Sequence, residues 1–130
     1  MVSDVDGNKY VDFICGYGPI ILGHKGEDVD TAFIAQLREI DLANGPSEKL
    51  VDLAELMVDI IPAADWAIFS KNGTDATTAC VMIARSKTGR RKIAVARGAY
   101  HGAAPWCTPR LAGTTLEDRS HLVHFNYNDV

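Results

Sequence analysis

The residues best suited to bind a ligand form one short polar segment, Asn72-Gly73-Thr74, within "FSKNGTDATTAC". An apolar run ends just before this segment, and an alanine-rich helical pattern starts just after it. N–H groups in the first turn of a helix have no partner inside the helix, and the helix dipole favours an anion beside them. Phosphate is the usual anion at such a place. The segment therefore predicts a phosphate site, and the alternative is an ordinary helix capped by Asn72 or Thr74.

A second candidate group, Tyr100-His101-Gly102, follows the next apolar run along the chain. An aromatic ring at this position could cover a planar ligand whose phosphate is bound by the first segment. The two groups together suggest a phosphorylated heteroaromatic cofactor. Two alternatives stay open: Tyr100 packs on the rim of a sheet, and His101 is an ordinary hydrogen-bonded loop histidine.

Strands and a helix are predicted to position both groups. The runs "DWAIFS", residues 65–70, and "IAVAR", residues 93–97, have the continuous apolar character of buried strands. A helix is predicted between them over about 74–86, which makes a right-handed βαβ unit of a parallel sheet. Ligands bind beyond the carboxyl ends of such strands. A third strand is predicted at Leu122–Phe125, after a long loop.

The N-terminal part is predicted to contain a strand and two helices. The stretch "DVDGNKYVDFIC" alternates as a strand does after the turn Asp6-Gly7-Asn8, and "GYGPIILGHKG" predicts a loop. Apolar residues at helical spacing predict helices over 28–40 and 48–61. Ser47 caps the second helix, and Pro62 stops it.

Composition argues against several classes of function. The chain has 130 residues, 13 basic against 17 acidic, with no basic cluster of the kind that nucleic acids or membrane surfaces require. No apolar run approaches the roughly 20 residues of a membrane span. We therefore expect no nucleic acid and no membrane among the partners.

Cysteine and histidine usage adds two expectations. Cys15, Cys80 and Cys107 are odd in number and form no C-x-x-C pair, which favours a reduced, cytoplasmic protein. His121 and His124 stand three residues apart, and on the predicted strand they point to opposite faces. We therefore predict no metal site.

Three segments in order resemble signatures of the class III aminotransferases: "DVDGNKYVDF…GYGPIILGH", "FSKNGTDATTACVMIARSKTGRRKIA" and "GAYHGAAPWC". The similarity covers nearly the whole chain and looks closest to the glutamate-1-semialdehyde aminomutase branch of these pyridoxal-phosphate (PLP) enzymes. The resemblance implies the α/β large domain of PLP fold type I, with a parallel βαβ core after an N-terminal strand and two helices. It also implies a homodimer.

The resemblance also implies roles for individual residues. Asn72, Gly73 and Thr74 match the loop that binds the cofactor phosphate, although Lys71-Asn72 replaces the more usual Asn-Ser. Tyr100 matches the aromatic residue that stacks on the pyridine ring, and His101 matches its neighbour in the site. Tyr17 and Gly18 belong to the loop that faces the substrate. The resemblance places the Schiff-base lysine beyond the point that matches Val130, so no catalytic residue is expected in this chain.

The sequence thus predicts part of a PLP-dependent aminotransferase or aminomutase, acting on a small amino donor and a keto or aldehyde acceptor through a Schiff base. Residues 1–45 would be an N-terminal segment, and residues 46–130 the incomplete start of the PLP-binding domain. The alternatives are a stand-alone βαβ domain that binds a phosphate ligand and an inactive remnant that binds proteins. Two questions stay open: which substrate the protein uses, and whether the amino group is transferred to another molecule or migrates within one.

Overall fold

The computed structural model describes residues 1–42 and 44–129. Their contacts divide the chain into two compact units, Met1–Leu53 and Ala54–Val130. The predicted domain division after residue 45 stays a prediction. No helix among the described residues has the length and apolar character needed to cross a membrane.

The first unit begins with a small hairpin in which β1 (Val2–Ser3) pairs antiparallel with β2 (Lys9–Tyr10). The carboxylate of Asp4 closes the turn, since it accepts hydrogen bonds from the N–H groups of Asp6 and Asn8 and from the Tyr10 hydroxyl. The turn chemistry predicted for this stretch is therefore present.

The strand predicted to continue after the turn is much shorter than expected. Pairing stops at Tyr10, and a 3-10 turn follows at Cys15–Tyr17. The Asp12 carboxylate accepts the N–H groups of Ile14 and Cys15, at 2.9 and 3.0 Å, and so bends the chain away from an extended path. Local bonding of this kind competes with a strand ladder.

The two helices predicted in the N-terminal half are confirmed. Helix α1 spans Glu27–Glu39, and helix α2 spans Glu48–Ile60. The Ser47 hydroxyl accepts the N–H of Leu50 at 3.3 Å, which is the predicted cap of α2. Pro62 follows the end of α2 within two residues, as expected of a helix stop.

The strand predicted over residues 65–70 is not formed, and this prediction is wrong for the described structure. Trp66, the second residue of the run, is 61% exposed, and Ile68 in its middle is 60% exposed. No described segment pairs with this run, and a strand exists only where a neighbour accepts and donates the hydrogen bonds of its ladder. The predicted βαβ unit therefore lacks its first strand.

The second unit centres on two parallel strands, both of which were predicted. β3 (Ile93–Ala96) pairs with β4 (Leu122–Phe125), with Ile93 opposite Leu122 and Ala96 opposite Phe125. Helix α3 (Gly73–Thr88) precedes β3, and the short helix α4 (Leu116–Arg119) precedes β4. The predicted long loop lies between β3 and α4. The buried apolar side chains of the described residues are Val95, Ala96 and Cys107, so the core lies at the carboxyl end of β3.

Candidate functional site

The first candidate segment lies where it was predicted, at the start of a helix. Asn72 is the N-cap of α3 in extended conformation, and Gly73 is the first helical residue. The side-chain oxygen of Asn72 accepts the N–H of Asp75 at 3.0 Å, and its amide donates to the Asp75 carboxylate at 3.0 Å. This reciprocal bonding resembles a capping box, and it explains locally why the helix begins at Gly73.

The cap leaves two backbone donors at the helix start unused. The Asn72 side chain accepts a hydrogen bond from the N–H of Asp75, and the backbone carbonyl of Asn72 accepts one from the N–H of Ala76 at 3.2 Å. The N–H groups of Gly73 and Thr74 have no acceptor among the described residues. A Cβ atom built on Gly73 would meet no atom within 4 Å, so the space beside Gly73 is open. The arrangement can receive an anion.

The second candidate segment follows β3 and lies directly against the start of α3. The Thr74 hydroxyl oxygen accepts the N–H of Ala103 at 3.1 Å. Gly102, at φ +133°, is so close that an added Cβ would lie 2.9 Å from the Thr74 hydroxyl and 3.2 Å from Thr74 Cα. The structure thus brings together the phosphate-site candidates and the loop of Tyr100 and His101.

Tyr100 and His101 differ in their surroundings. The Tyr100 side chain is 70% exposed. The His101 side chain is half-buried, and its Nε2 atom is buried with no hydrogen-bond partner among the described residues. Both residues line a cavity of about 430 Å³, together with Arg119 and His124, and no carboxylate lines it. Arg119 gives the cavity wall a positive charge, and the buried Nε2 atom of His101 offers a polar contact to a ligand in the cavity.

Several functional candidates in this unit escaped prediction. The Thr77 hydroxyl contacts the His101 carbonyl at 2.9 Å, and the Trp106 indole N–H donates to the Thr78 hydroxyl at 3.1 Å. The sequence feature that could have indicated these contacts is the spacing of the threonines in "GTDATT". Residues at i, i+3 and i+4 lie on one face of a helix. Cys107, which follows Trp106 in the loop, is buried, with 7% of its surface exposed.

Tyr17 and Gly18 lie in the first unit, at the end of the 3-10 turn. Tyr17 has φ 64° and is 95% exposed, and Gly18 has φ 112°. The loop is held by Asp12, whose carboxylate also contacts His24 Nε2 at 3.1 Å. The N–H of Cys15, the His24 hydrogen bond and the N–H of Ile14 lower the pKa of the Asp12 carboxyl. The substrate-facing role of this loop stays a prediction.

The residues described contain no candidate metal site. No group of three or more His, Cys, Asp and Glu side chains in that part of the chain could hold a metal ion. His124 lies on β4, and His121 precedes that strand.

Comparison with known proteins identifies the family to which the chain is similar. The profile described as Aminotransferase class-III matches residues 1–120. The chain is 47% identical over 129 residues to an aminopentol aminotransferase of Sphingopyxis macrogoltabida, covering 99% of the chain and 31% of that protein. It is 43% identical over 103 residues to a glutamate-1-semialdehyde 2,1-aminomutase of Haloarcula marismortui, covering 78% of the chain and 23% of that protein. The chain spans less than a third of the length of these curated relatives.

Solved structures agree with the sequence comparison. The PLP internal aldimine form of the FumI protein of a Sphingopyxis species superposes with a TM-score of 0.90 at 46% identity, covering 98% of this chain and 31% of that one. An omega-transaminase of Sphaerobacter thermophilus gives a TM-score of 0.87 at 29% identity, covering 98% and 33%. The predicted fold class, part of the α/β fold of PLP-dependent transaminases, is thereby confirmed.

Proposed function

Because the chain belongs to the class III aminotransferase family, we propose that it binds pyridoxal phosphate for the transfer or migration of an amino group. The start of α3 would receive the phosphate, through the N–H groups of Gly73 and Thr74. Tyr100 would lie against the pyridine ring, with His101 beside it. Asn72 would act mainly as the cap that keeps these donors in place.

One observation carries the proposal: the hydrogen bond between Ala103 and Thr74 joins a helix start with two open N–H groups to the loop that carries Tyr100. A phosphorylated ring needs both features at once, a set of donors for its phosphate and an apolar face for its ring. The open space at Gly73 and the exposed ring of Tyr100 are compatible with such a ligand. The similarity to the PLP-containing FumI protein adds independent support.

When bound, PLP supplies a carbonyl carbon for the amino group and an electron sink for the reacting carbon. The residues of this chain would bind and orient it. The α3 dipole and two N–H groups would hold the phosphate, and Tyr100 would restrict the tilt of the ring. Tyr17 and Gly18 would face the substrate. No lysine of this chain is assigned to the Schiff base, because Lys71, beside the phosphate segment, would have to fold back over its own anchor.

The substrates proposed for the whole protein are a small amino donor and a keto or aldehyde acceptor, as in the aminotransferases and aminomutases that it resembles. A cytoplasmic location and a homodimer complete the proposal. The three cysteines, all free in the structure, fit a reducing compartment.

Replacement of Gly73 by Ala tests the phosphate site. The Cβ of a first-turn residue tilts toward the helix N-terminus, where the phosphate would lie. Because the added methyl group meets no protein atom within 4 Å and Ala favours a helix, the fold should be kept. We expect the dissociation constant for PLP to rise about tenfold, which corresponds to about 1.4 kcal/mol. Absorbance titration of the purified protein with PLP measures it.

Gly45→Ala is the matched control, since a Cβ at Gly45 also meets no atom within 4 Å. Its PLP affinity should equal that of the unmodified protein. Equal affinities for Gly73→Ala and Gly45→Ala would contradict the proposed phosphate site. Equal binding of PLP and inorganic phosphate by the unmodified protein would instead favour a simple phosphate-binding domain.

A further inference from the structure

Three threonine side chains on one face of α3 fasten the loop that follows β3. We call the hydroxyl groups of Thr74, Thr77 and Thr78 the threonine latch. Thr74 accepts the N–H of Ala103 at 3.1 Å, and Thr78 accepts the indole N–H of Trp106 at 3.1 Å. The Thr77 hydroxyl, in contrast, donates its proton to the loop.

The Thr77 hydroxyl lies 2.9 Å from the carbonyl oxygen of His101 and 3.0 Å from that of Thr74. Its single proton is shared between these two acceptors, one in the loop and one in its own helix. The side chain is half-buried, so water competes weakly for the same proton. Thr77 therefore ties the main chain of the aromatic loop to the first turn of α3.

The latch connects segments that are far apart in sequence. Its bonds to the loop span separations of 24, 28 and 29 residues. Gly102 lies between the two main-chain contacts, and its missing side chain is what allows the loop to approach Thr74 within van der Waals distance. The loop is thus held close to the helix at several successive residues.

Tyr100 depends on this latch for its position. Its hydroxyl has no hydrogen-bond partner among the described residues, and most of the side chain is exposed. The ring is therefore placed by the main chain that leads into His101, which Thr77 holds. An untethered loop would let the ring sample many positions, and binding would then have to overcome the entropy of ordering it.

We propose that Thr77, supported by Thr78, is a positioning residue that couples the ring-facing loop to the phosphate-binding helix start. The inference rests on the proposed function, because it assigns the ring side of the same ligand site. The Thr77 hydroxyl is already engaged by the His101 and Thr74 carbonyls, so we assign it no direct contact with the ligand. Its loss should therefore weaken the recognition of the ring and leave the recognition of the phosphate unchanged.

This split makes a selective test possible with three variants of the purified protein. Thr77→Val keeps the shape and removes the hydroxyl, Thr77→Ser restores a hydroxyl, and Thr88→Val makes the same change at the far end of α3. The Thr88 hydroxyl donates to the Ala84 carbonyl and accepts the N–H of Arg90, so this control perturbs only the C-terminal end of α3 and makes no contact with the loop after β3. Each protein is titrated with PLP and, separately, with inorganic phosphate.

For Thr77→Val we expect about a fivefold rise in the dissociation constant for PLP, the scale of one hydrogen bond. The constant for inorganic phosphate should stay within twofold, while Thr77→Ser and Thr88→Val should bind both ligands normally. Hydrogen exchange of the 98–107 peptide should be faster in Thr77→Val only. An equal loss of both ligands would show a general structural role and overturn the proposal, and so would unchanged PLP binding.

The two proposals can fail separately. If the unmodified protein does not bind PLP more tightly than inorganic phosphate, the proposed function fails. If PLP binds tightly but exchange of the 98–107 peptide is the same in Thr77→Val and the unmodified protein, the latch fails and the cofactor site stands.

Discussion

The Asp12–Cys15 loop and the start of α3 use their backbone N–H groups in opposite ways. In the loop, the N–H groups of Ile14 and Cys15 donate to the Asp12 carboxylate, so the chain supplies its own anion. At α3 the cap is the neutral amide of Asn72, and the N–H groups of Gly73 and Thr74 have no acceptor among the described residues. Clustered N–H groups attract an anion in either case.

The side chain that precedes the donors differs between the two segments: Asp12 accepts two N–H groups, whereas Asn72 accepts one. A carboxylate at that place satisfies the donors and makes a structural turn. A neutral cap satisfies one donor and leaves others for an external anion. Asp75 adds a negative charge in the first turn of α3, but its carboxylate is engaged by the Asn72 amide.

The largest effect is expected when Gly102 is replaced, because its backbone lies against Thr74 at the start of α3. In Gly102→Ala, the new Cβ meets Thr74 at 2.9 Å while the backbone stays at φ +133°. Left-handed strain and crowding together should lower the free energy of unfolding by about 3 kcal/mol. Gly113→Ala, at φ +84° in open space, should cost about 1 kcal/mol because only the strain applies. Urea unfolding of both variants measures the difference, and equal losses would mean that the contact with Thr74 is dispensable.

The second prediction concerns Asn72. It tests whether a carboxylate before the start of α3, like that of Asp12 in the loop, weakens the binding of an external anion. Asn72→Asp keeps an oxygen for the cap, removes the amide that donates to the Asp75 carboxylate, and places a carboxylate where the loop has Asp12. The added charge should raise the dissociation constant for inorganic phosphate about tenfold. Asn72→Ser, a neutral cap, should bind phosphate normally. Isothermal titration calorimetry compares them, and normal binding by Asn72→Asp would break the comparison between the two regions.

The third prediction concerns Tyr100, which is proposed to face the cofactor ring. Tyr100→Ala should raise the dissociation constant for PLP about fivefold, since a stacked ring contributes on the order of 1 kcal/mol beyond its buried area. Inorganic phosphate should bind as before. Tyr127→Ala, another exposed tyrosine of the same unit, is the control. An unchanged PLP affinity in Tyr100→Ala would mean that its ring lies on the rim.

The smallest expected effect lies in the Asp12 loop. Its hydrogen bonds hold the pKa of the Asp12 carboxyl below the usual value of about 3.9. The stabilisation is therefore present above pH ~4 and is lost as pH falls through the lowered folded pKa. Thermal unfolding between pH 5 and pH 2 should show a weaker acid dependence in Asp12→Asn than in Asp6→Asn. Equal acid dependence in both variants would contradict the internal-anion role of Asp12.

Elements with local causes could be predicted well. The starts of α2 and α3 follow from Ser47 and Asn72, whose side chains bond to N–H groups three residues away. The strands at 93–96 and 122–125 follow from short apolar runs with turn signals at both ends. The run at 65–70 is also short and largely apolar but forms no strand, because a ladder depends on a partner strand that a local sequence pattern does not specify.

Helical periodicity and capping residues predicted α1, α2 and α3 to within about two residues at each end, and they placed Asn72-Gly73-Thr74 at a helix start. The short helix α4 was not predicted. Capping and helical periodicity act over three to four residues, so a local pattern is sufficient for them. Only the tertiary structure decided that Thr77 holds the His101 carbonyl and that Gly102 lies against Thr74. These contacts join residues 24 or more positions apart, and their geometry depends on how β3 and its loop return to α3.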